Sequence, residues 1–264
     1  MDRFDPALVE RAAPWVDRAC RVWFRLEVLG MEHVPDGPAL IVGNHNSGTS
    51  FVEAMGVGAR WIRQRGPDQA WRGLAHDAIV DLPVLGDLLC RVGAVRAGHE
   101  SAAEAFAAGR KVVVFPGGNA EAFRPWSERG KVCLQGRTGW IKLALRHQVP
   151  VVPMVNVGGH DAFVVLTDGR RLARAIRADR WLRSDTWPIY LGLPWGVAVG
   201  PVFHLPLPVK CITRFLPPID LGHPPEAADD PVVLRELYDL VTGRMQAALT
   251  ELRDRRSGRA DATG

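Results

Sequence analysis

His45 lies in a polar turn, Asn44-His45-Asn46-Ser47-Gly48-Thr49, where a proton could be moved. An imidazole near neutrality can take a proton from a hydroxyl if a carboxylate fixes its tautomer and stabilises the imidazolium. The acid just downstream is Glu53, eight residues on. A turn followed by the first turn of a helix could fold it back onto His45. The alternative is an exposed position on that helix.

A second group is Phe115-Pro116-Gly117-Gly118-Asn119-Ala120-Glu121, followed by Arg124, Arg129, Lys131 and Arg137. Adjacent glycines let backbone amides approach an oxyanion or a phosphate. Arginine forks just beyond suit a phosphate. An ordinary glycine turn with a solvated charge run is the plain alternative. Gly93-Ala94-Val95-Arg96 adds an arginine at a strand end. No serine stands in a Gly-x-Ser-x-Gly elbow, so a serine lipase is not indicated. Cys20, Cys90, Cys133 and Cys211 match no zinc spacing, so reduced thiols and no bound metal are expected.

These residues need a scaffold, and the hydrophobic pattern supplies one. Residues 39–43 form a continuous apolar run that leads into the His45 turn, and 51–59 can be a helix. The pattern recurs. Residues 92–95, 111–115, 149–157 and 209–215 read as strands; 100–108, 138–146 and 231–256 read as helices. Strands alternating with helices predict an α/β fold, a mostly parallel central sheet covered by helices. Catalytic groups would then stand beyond the carboxyl ends of its strands. Residues 6–29 show apolar positions at helical steps (Leu8, Ala12, Trp15, Ala19, Val22, Leu26), in one helix or two divided at Pro14. One domain over 1–264 is expected, with a helical segment at 1–30 and a frayed tail at 256–264.

Composition narrows the partners. The net charge is +4 and the pI about 9.1, with 33 basic residues. Such a balance admits nucleic acid or an anionic membrane. The aromatics do not interleave with basic residues as a stacking platform requires, so no nucleic acid partner is expected. Charge within the first ten residues argues against a signal peptide. No window offers the ~18 to 20 apolar residues of a membrane span. Residues 187–209 are apolar but broken by five prolines.

His45, Arg96, the Phe115-Pro116-Gly117-Gly118 block and Val149-Pro150-Val151-Val152-Pro153 occur in the order of the four blocks of the glycerolipid acyltransferase family. Over roughly residues 30–220 the chain resembles that family, the relatives of lysophosphatidic acid acyltransferase. Glu32, Pro35 and Gly37 also fit. The resemblance implies that His45 is the catalytic base. The family's usual acid, an Asp five residues after the His, is replaced here by Ser50. In a longer-turn branch, related to bacterial and diacylglycerol-forming enzymes, the Asp comes eight residues on, where this chain has Glu53. Gly117 replaces the family's Glu, and Glu121 takes its place soon after, as that branch tends to do.

Further roles follow from the same resemblance. Arg96 corresponds to an acceptor-binding residue, with Arg124 and Lys131 available to the same phosphate, and Gly117, Gly118 and Glu121 belong to the substrate-binding block. Val152 and Pro153 correspond to the acyl-site lining. The implied activity is acyl transfer from acyl-CoA or an acyl carrier protein to a lysophospholipid hydroxyl, with acyl-CoA as co-substrate and no cofactor. A mono- or diacylglycerol acceptor, or a lipid-binding relative without turnover, is the alternative. Peripheral contact with an anionic membrane, on the cytoplasmic side of the plasma membrane, is expected through the first helix and residues 170–209. There Arg170, Arg171, Arg174 and Arg177 would share a helical face opposite Leu172 and Ile176, with Trp181, Trp187, Tyr190 and Trp195 in the headgroup layer.

Overall fold

The computed structural model describes residues 3–46, 48, 52–181, 185–200, 202 and 205–258. In chain order it contains α1 (Pro6–Trp23), β1 (Glu27–Leu29), β2 (Leu40–Gly43), α2 (Val52–Arg65), β3 (Arg72–Ala75), α3 (Asp77–Val80), α4 (Leu85–Arg91) and β4 (Ala94–Arg96). There follow α5 (His99–Ala107), β5 (Val112–Val114), α6 (Gly118–Ala122), α7 (Gly139–His147), β6 (Val151–Val157) and α8 (Gly159–Ala162). The last part holds β7 (Val164–Thr167), α9 (Arg170–Ala175), α10 (Ala178–Trp181), β8 (Ile189–Gly192), β9 (Gly196–Val199), β10 (Ile212–Phe215) and α11 (Pro231–Arg256).

The α/β expectation holds. The central sheet has seven strands in the order β1-β10-β6-β2-β5-β3-β4. From β6 to β4 every pairing is parallel, and β10 turns antiparallel against β6. Every residue of β2 and β6 is buried, as a strand covered on both faces demands. One core packs α5, α7 and α11 on the sheet through Leu145, Ile141, Val241 and Met245. The other packs α1 and α2 against Ile41, Val152 and Met154.

Three expectations need correction. Residues 27–29 are strand β1, paired with β10, and do not extend the first helix. That helix is single, with Pro14 on its exposed side. Its buried stripe is Val9, Ala13, Asp17 and Cys20, while Trp15 and Val22 are each 73% exposed. The reason is Asp17, whose fully buried carboxylate meets Arg60 at 2.9 Å and Arg63 at 2.5 Å from α2, and Arg21 at 3.3 Å. An ion pair that locks two helices outranks the apolar stripe in setting which face turns inward.

The third correction concerns residues 170–209. The arginines do not share one helical face, because α9 ends at Ala175 and Arg177 lies beyond it at φ 54°. Residues 182–184, with Arg183, and the side chain of Trp181 lie outside those described. Tyr190 is fully buried, its hydroxyl donating to the Val202 carbonyl at 2.7 Å. It belongs to a second, antiparallel sheet, β7-β8-β9, which the sequence pattern does not announce. Among the described residues no helix is long and apolar enough to cross a membrane.

Asp17 holds α2 in place, and α2 carries Glu53. Asp17→Ala should therefore lower stability by about 2 kcal/mol. That is below the cost of a fully buried broken pair, because the arginines keep 22–47% exposure. Urea denaturation checks it; an unchanged midpoint would mean that the ion pairs do not hold the two helices together.

Candidate active site

Strand β2 ends at Gly43, and the chain enters the His45 loop through a buried asparagine lattice. The Asn44 side chain donates to the Asn156 carbonyl at 3.0 Å and accepts from the Asn156 amide at 2.7 Å. The Asn46 side chain donates to the same carbonyl at 2.7 Å. Thr213 on β10 donates to Asn156 Oδ1 at 2.7 Å. Three strand ends are thereby fixed relative to one another, in a setting where an unmade hydrogen bond is costly. At Gly43 a Cβ would fall 2.6 Å from the Phe115 ring, so glycine lets that ring pack beside the loop. Phe115 in turn sits 5.2 Å, centroid to centroid, from the His45 imidazole.

Glu53 turns back from the first turn of α2 onto the loop. Its Oε1 lies 2.5 Å from His45 Nδ1 and accepts from the Asn46 amide at 3.0 Å. Glu53 is 3% exposed, so the surface alternative does not hold. Burial alone would push the His45 pKa down, but Glu53, with a smaller contribution from Glu121, raises it above its ordinary 6.5. Ser47, Thr49 and Ser50 lie outside the described residues.

Glu121 is a second clamp. It is fully buried on the short helix α6. Its Oε2 accepts the His45 amide and its Oε1 the Cys133 amide, both at 2.9 Å. Burial pushes its pKa up to about 7, against the pull of Arg124 and of the two amides. Gly117 makes room for this carboxylate: a Cβ there would lie 2.2 Å from Glu121 Oε2 and 2.6 Å from the Cys133 carbonyl. The Gly118 amide, expected to be available to an oxyanion, instead donates to the Phe115 carbonyl at 3.1 Å. The left-handed φ of 53° at Gly118 belongs to that turn.

The expected phosphate ligands are not equivalent. Arg124 is buried beside Glu121, and its three guanidinium nitrogens have no hydrogen-bond partner among the described residues. Arg96 is half exposed at the end of the edge strand β4, three strands from β2, and is held by Asp81 and by Asp77 at 3.5 Å. Lys131 is exposed. So the structure brings Arg124 to the site and ties Arg96 elsewhere. Val152 and Pro153 are buried within β6, with Val152 in the sheet core.

Asn156, Thr213 and His160 were missed in the sequence. Asn156 could have been found as the polar residue in an otherwise apolar strand. His160 follows the Gly158-Gly159 stop; its ring bonds the Glu121 backbone, while its Nε2 has no partner among the described residues. Burial, with Arg124 adding to it, pushes its pKa down to about 3, so it stays neutral. Among the described residues no cluster of His, Cys, Asp and Glu could hold a metal.

Comparison with known proteins bears on the family and the fold. The sequence profile of the family described as Acyltransferase matches residues 25–157. An uncharacterized protein of Mycobacterium tuberculosis is 32% identical over 232 residues, 87% of this chain and 62% of its own length. A mouse protein described as a DGAT1/2-independent enzyme synthesizing storage lipids is 28% identical over 195 residues, 72% of this chain and 55% of the relative. The chain thus spans about three fifths of the length of these relatives. The crystal structure of the 1-acyl-sn-glycerophosphate acyltransferase PlsC from Thermotoga maritima superposes with a TM-score of 0.56. That match covers 94% of this chain and 81% of PlsC at 18% identity, and shows a shared fold.

The two clamps respond differently to substitution. The two contacts that Glu53 makes to His45 and Asn46 reach one oxygen, so Glu53→Gln can keep both while it loses the charge. The His45 pKa should then fall, and the acid limb of any His45-dependent rate should move to lower pH while the maximum rate drops at least tenfold. Glu121 uses both oxygens, so Glu121→Gln must set an amide N–H₂ against a backbone N–H, losing roughly 2 kcal/mol of stability. Thermal melts and pH–rate profiles of the two variants test this; E121Q with wild-type stability would remove Glu121 as a clamp.

Proposed function

The chain belongs to the glycerolipid acyltransferase family, and from that premise we propose that it moves a fatty acyl group from a thioester donor, acyl-CoA or an acyl carrier protein, to a glycerolipid hydroxyl. The observation that carries this reading is the 2.5 Å contact between His45 Nδ1 and buried Glu53 at the end of β2. With Nδ1 turned to Glu53, we assign Nε2 as the base. The acceptor hydroxyl gives its proton to Nε2 as its oxygen bonds to the thioester carbonyl carbon. The tetrahedral intermediate then expels the thiolate, which takes the proton back from the imidazolium. Glu53 stabilises that imidazolium throughout. An oxyanion donor is worth roughly 3 to 4 kcal/mol in comparable sites, and the Gly117 amide is our candidate for it.

We take the whole 1–264 chain as one acyltransferase domain. The acceptor we favour is a lysophospholipid, its phosphate held by Arg124, a buried cation with no hydrogen-bond partner among the described residues. A neutral mono- or diacylglycerol is the second reading. It is favoured by the engagement of Arg96 with Asp77 and Asp81, and by the storage-lipid synthesis ascribed to the mouse relative. Either acceptor lives in a bilayer, so we place the protein peripherally on an anionic membrane, on the cytoplasmic face of the plasma membrane.

The test is a panel of lysophospholipids and neutral glycerides offered with labelled acyl-CoA. Wild-type protein should form labelled product, and His45→Ala should lower the rate by roughly two to four orders of magnitude with the fold kept. Because the His45 pKa is raised, the wild-type rate should fall with acidification from a pH above 6.5. Folded H45A protein with near-normal turnover would exclude this mechanism. Arg124→Gln should raise KM for a lysophospholipid more than it lowers kcat; no difference between charged and neutral acceptors would favour the glyceride.

A further inference from the structure

Antiparallel sheets with one face on a core normally show polar residues on the other. The small β7-β8-β9 sheet breaks that rule. Its inner face is ordinary: Val165, Tyr190 and Ala198 are buried against Phe123 and Phe163. The outer face, set by the register, carries Val164 beside Leu191, Leu191 beside Val197, and Ile189 beside Val199. The one polar outward position among them is Thr167, opposite Ile189 beyond a register shift at the end of β7. Val197 is 60% exposed and Val199 47%, and at the hairpin end Trp195 is 57% exposed.

The surroundings indicate what this face meets. Between β7 and β8 the chain makes the excursion that holds α9 and α10, and it returns where it left, with the Trp187 amide donating to the Asp168 carbonyl at 3.0 Å. Six arginines against three aspartates lie between 168 and 185. Those on α9 and α10 stand at the end of the sheet remote from Trp195. At the Trp195 end, Leu193 bridges to Leu205, and Trp23 at the close of α1 donates to the Pro206 carbonyl at 2.8 Å. The exposed Val22 and Trp23 thus adjoin the same end. Residues 187–209 contain no Asp, Glu, Lys or Arg.

We propose that the outer face of the β7-β8-β9 sheet is the lipid-docking surface, seated in a bilayer with Trp195 leading and the α9–α10 arginines against anionic headgroups. This rests on the acyltransferase reading and moves the contact from the arginine face expected of the sequence to the sheet. An apolar face gains from leaving water and tryptophan favours the interface, while the arginines add a salt-sensitive attraction to anionic lipid. A second copy of the chain would match the apolar face but leave the arginines unanswered.

Vesicle flotation tests it, using phosphatidylcholine alone and with phosphatidylglycerol. Wild-type protein should float with the anionic vesicles, less so at high salt. Val197→Ser/Val199→Ser should weaken partitioning at least tenfold at any salt, and Arg171→Gln/Arg174→Gln should weaken it at low salt only. Trp195→Ala, at an exposed turn, gives the same reading should the double serine variant melt early. Acyl transfer to a short-chain acceptor below its critical micelle concentration should be unchanged in all of them. Flotation of V197S/V199S equal to wild type overturns the proposal. So does light scattering that shows a wild-type dimer lost in that variant, since the face would then join two copies. Failure to float with transfer intact sinks the docking surface alone; binding without transfer to any acceptor sinks the acyltransferase reading alone.

Discussion

The site depends on two buried carboxylates gripping one loop. Glu53 comes from the helix that follows the loop, and Glu121 from a turn seventy-six residues away from His45. Each takes a backbone amide of the loop, at Asn46 and at His45. Amides that would otherwise need water thus become the means of fixing the histidine backbone. Only one of the two, Glu53, also touches the ring. Both groups position the loop and both add negative charge beside the ring, with Glu53 orienting the ring directly and Glu121 holding the His45 backbone.

The longer acid at position 53 follows from this geometry. A glutamate at the first turn of α2 reaches Nδ1 and the Asn46 amide with one oxygen, so the extra methylene is taken up between helix and loop. The glycine at 117 has a similar explanation. Where the family places a glutamate, this chain needs empty space, because Glu121 enters from one turn later and passes within 2.2 Å of where a Cβ would stand. The double glycine is thus a packing device for the second clamp, whereas the backbone freedom belongs to Gly118.

Most of the frame could be read from local pattern. The apolar runs before His45 and around Val112 and Val151 are strands because nothing else in a chain of this size hides four consecutive large apolar residues. The Pro231–Arg256 helix announces itself by Asp230, which caps two amides, and by its length. What stayed hidden was set by contacts distant in sequence. The inward face of α1 turns on Asp17 meeting arginines forty-three and forty-six residues later, which no local period encodes. The β7-β8-β9 sheet was obscured because its strands are short, mostly apolar on both faces and flanked by Pro188 and Pro194, so alternation could not be seen. Arg96 resembled a ligand by position, and only the fold shows Asp77 and Asp81 within reach of it.

The distribution of polarity binds these observations together. At the carboxyl ends of the central strands the interior holds charge: Glu53, Glu121 and Arg124 are each under 5% exposed, alongside the asparagine lattice. At the surface of the small sheet the outward residues, Thr167 aside, are apolar. Burying charge carries a desolvation cost, which the amides offset at Glu53 and Glu121 and which at Arg124 is met by the Glu121 charge, with no hydrogen bond among the described residues. Exposing valine and tryptophan forgoes burial that a monomer in water would otherwise gain. Neither departure helps the fold, and each has its gain outside it. Under the function proposed above, the buried cation would serve an anionic group brought to the base, and the apolar sheet face a surrounding less polar than water. Both gains arise together for a protein whose reacting hydroxyl belongs to a molecule that is apolar along most of its length and polar at its head.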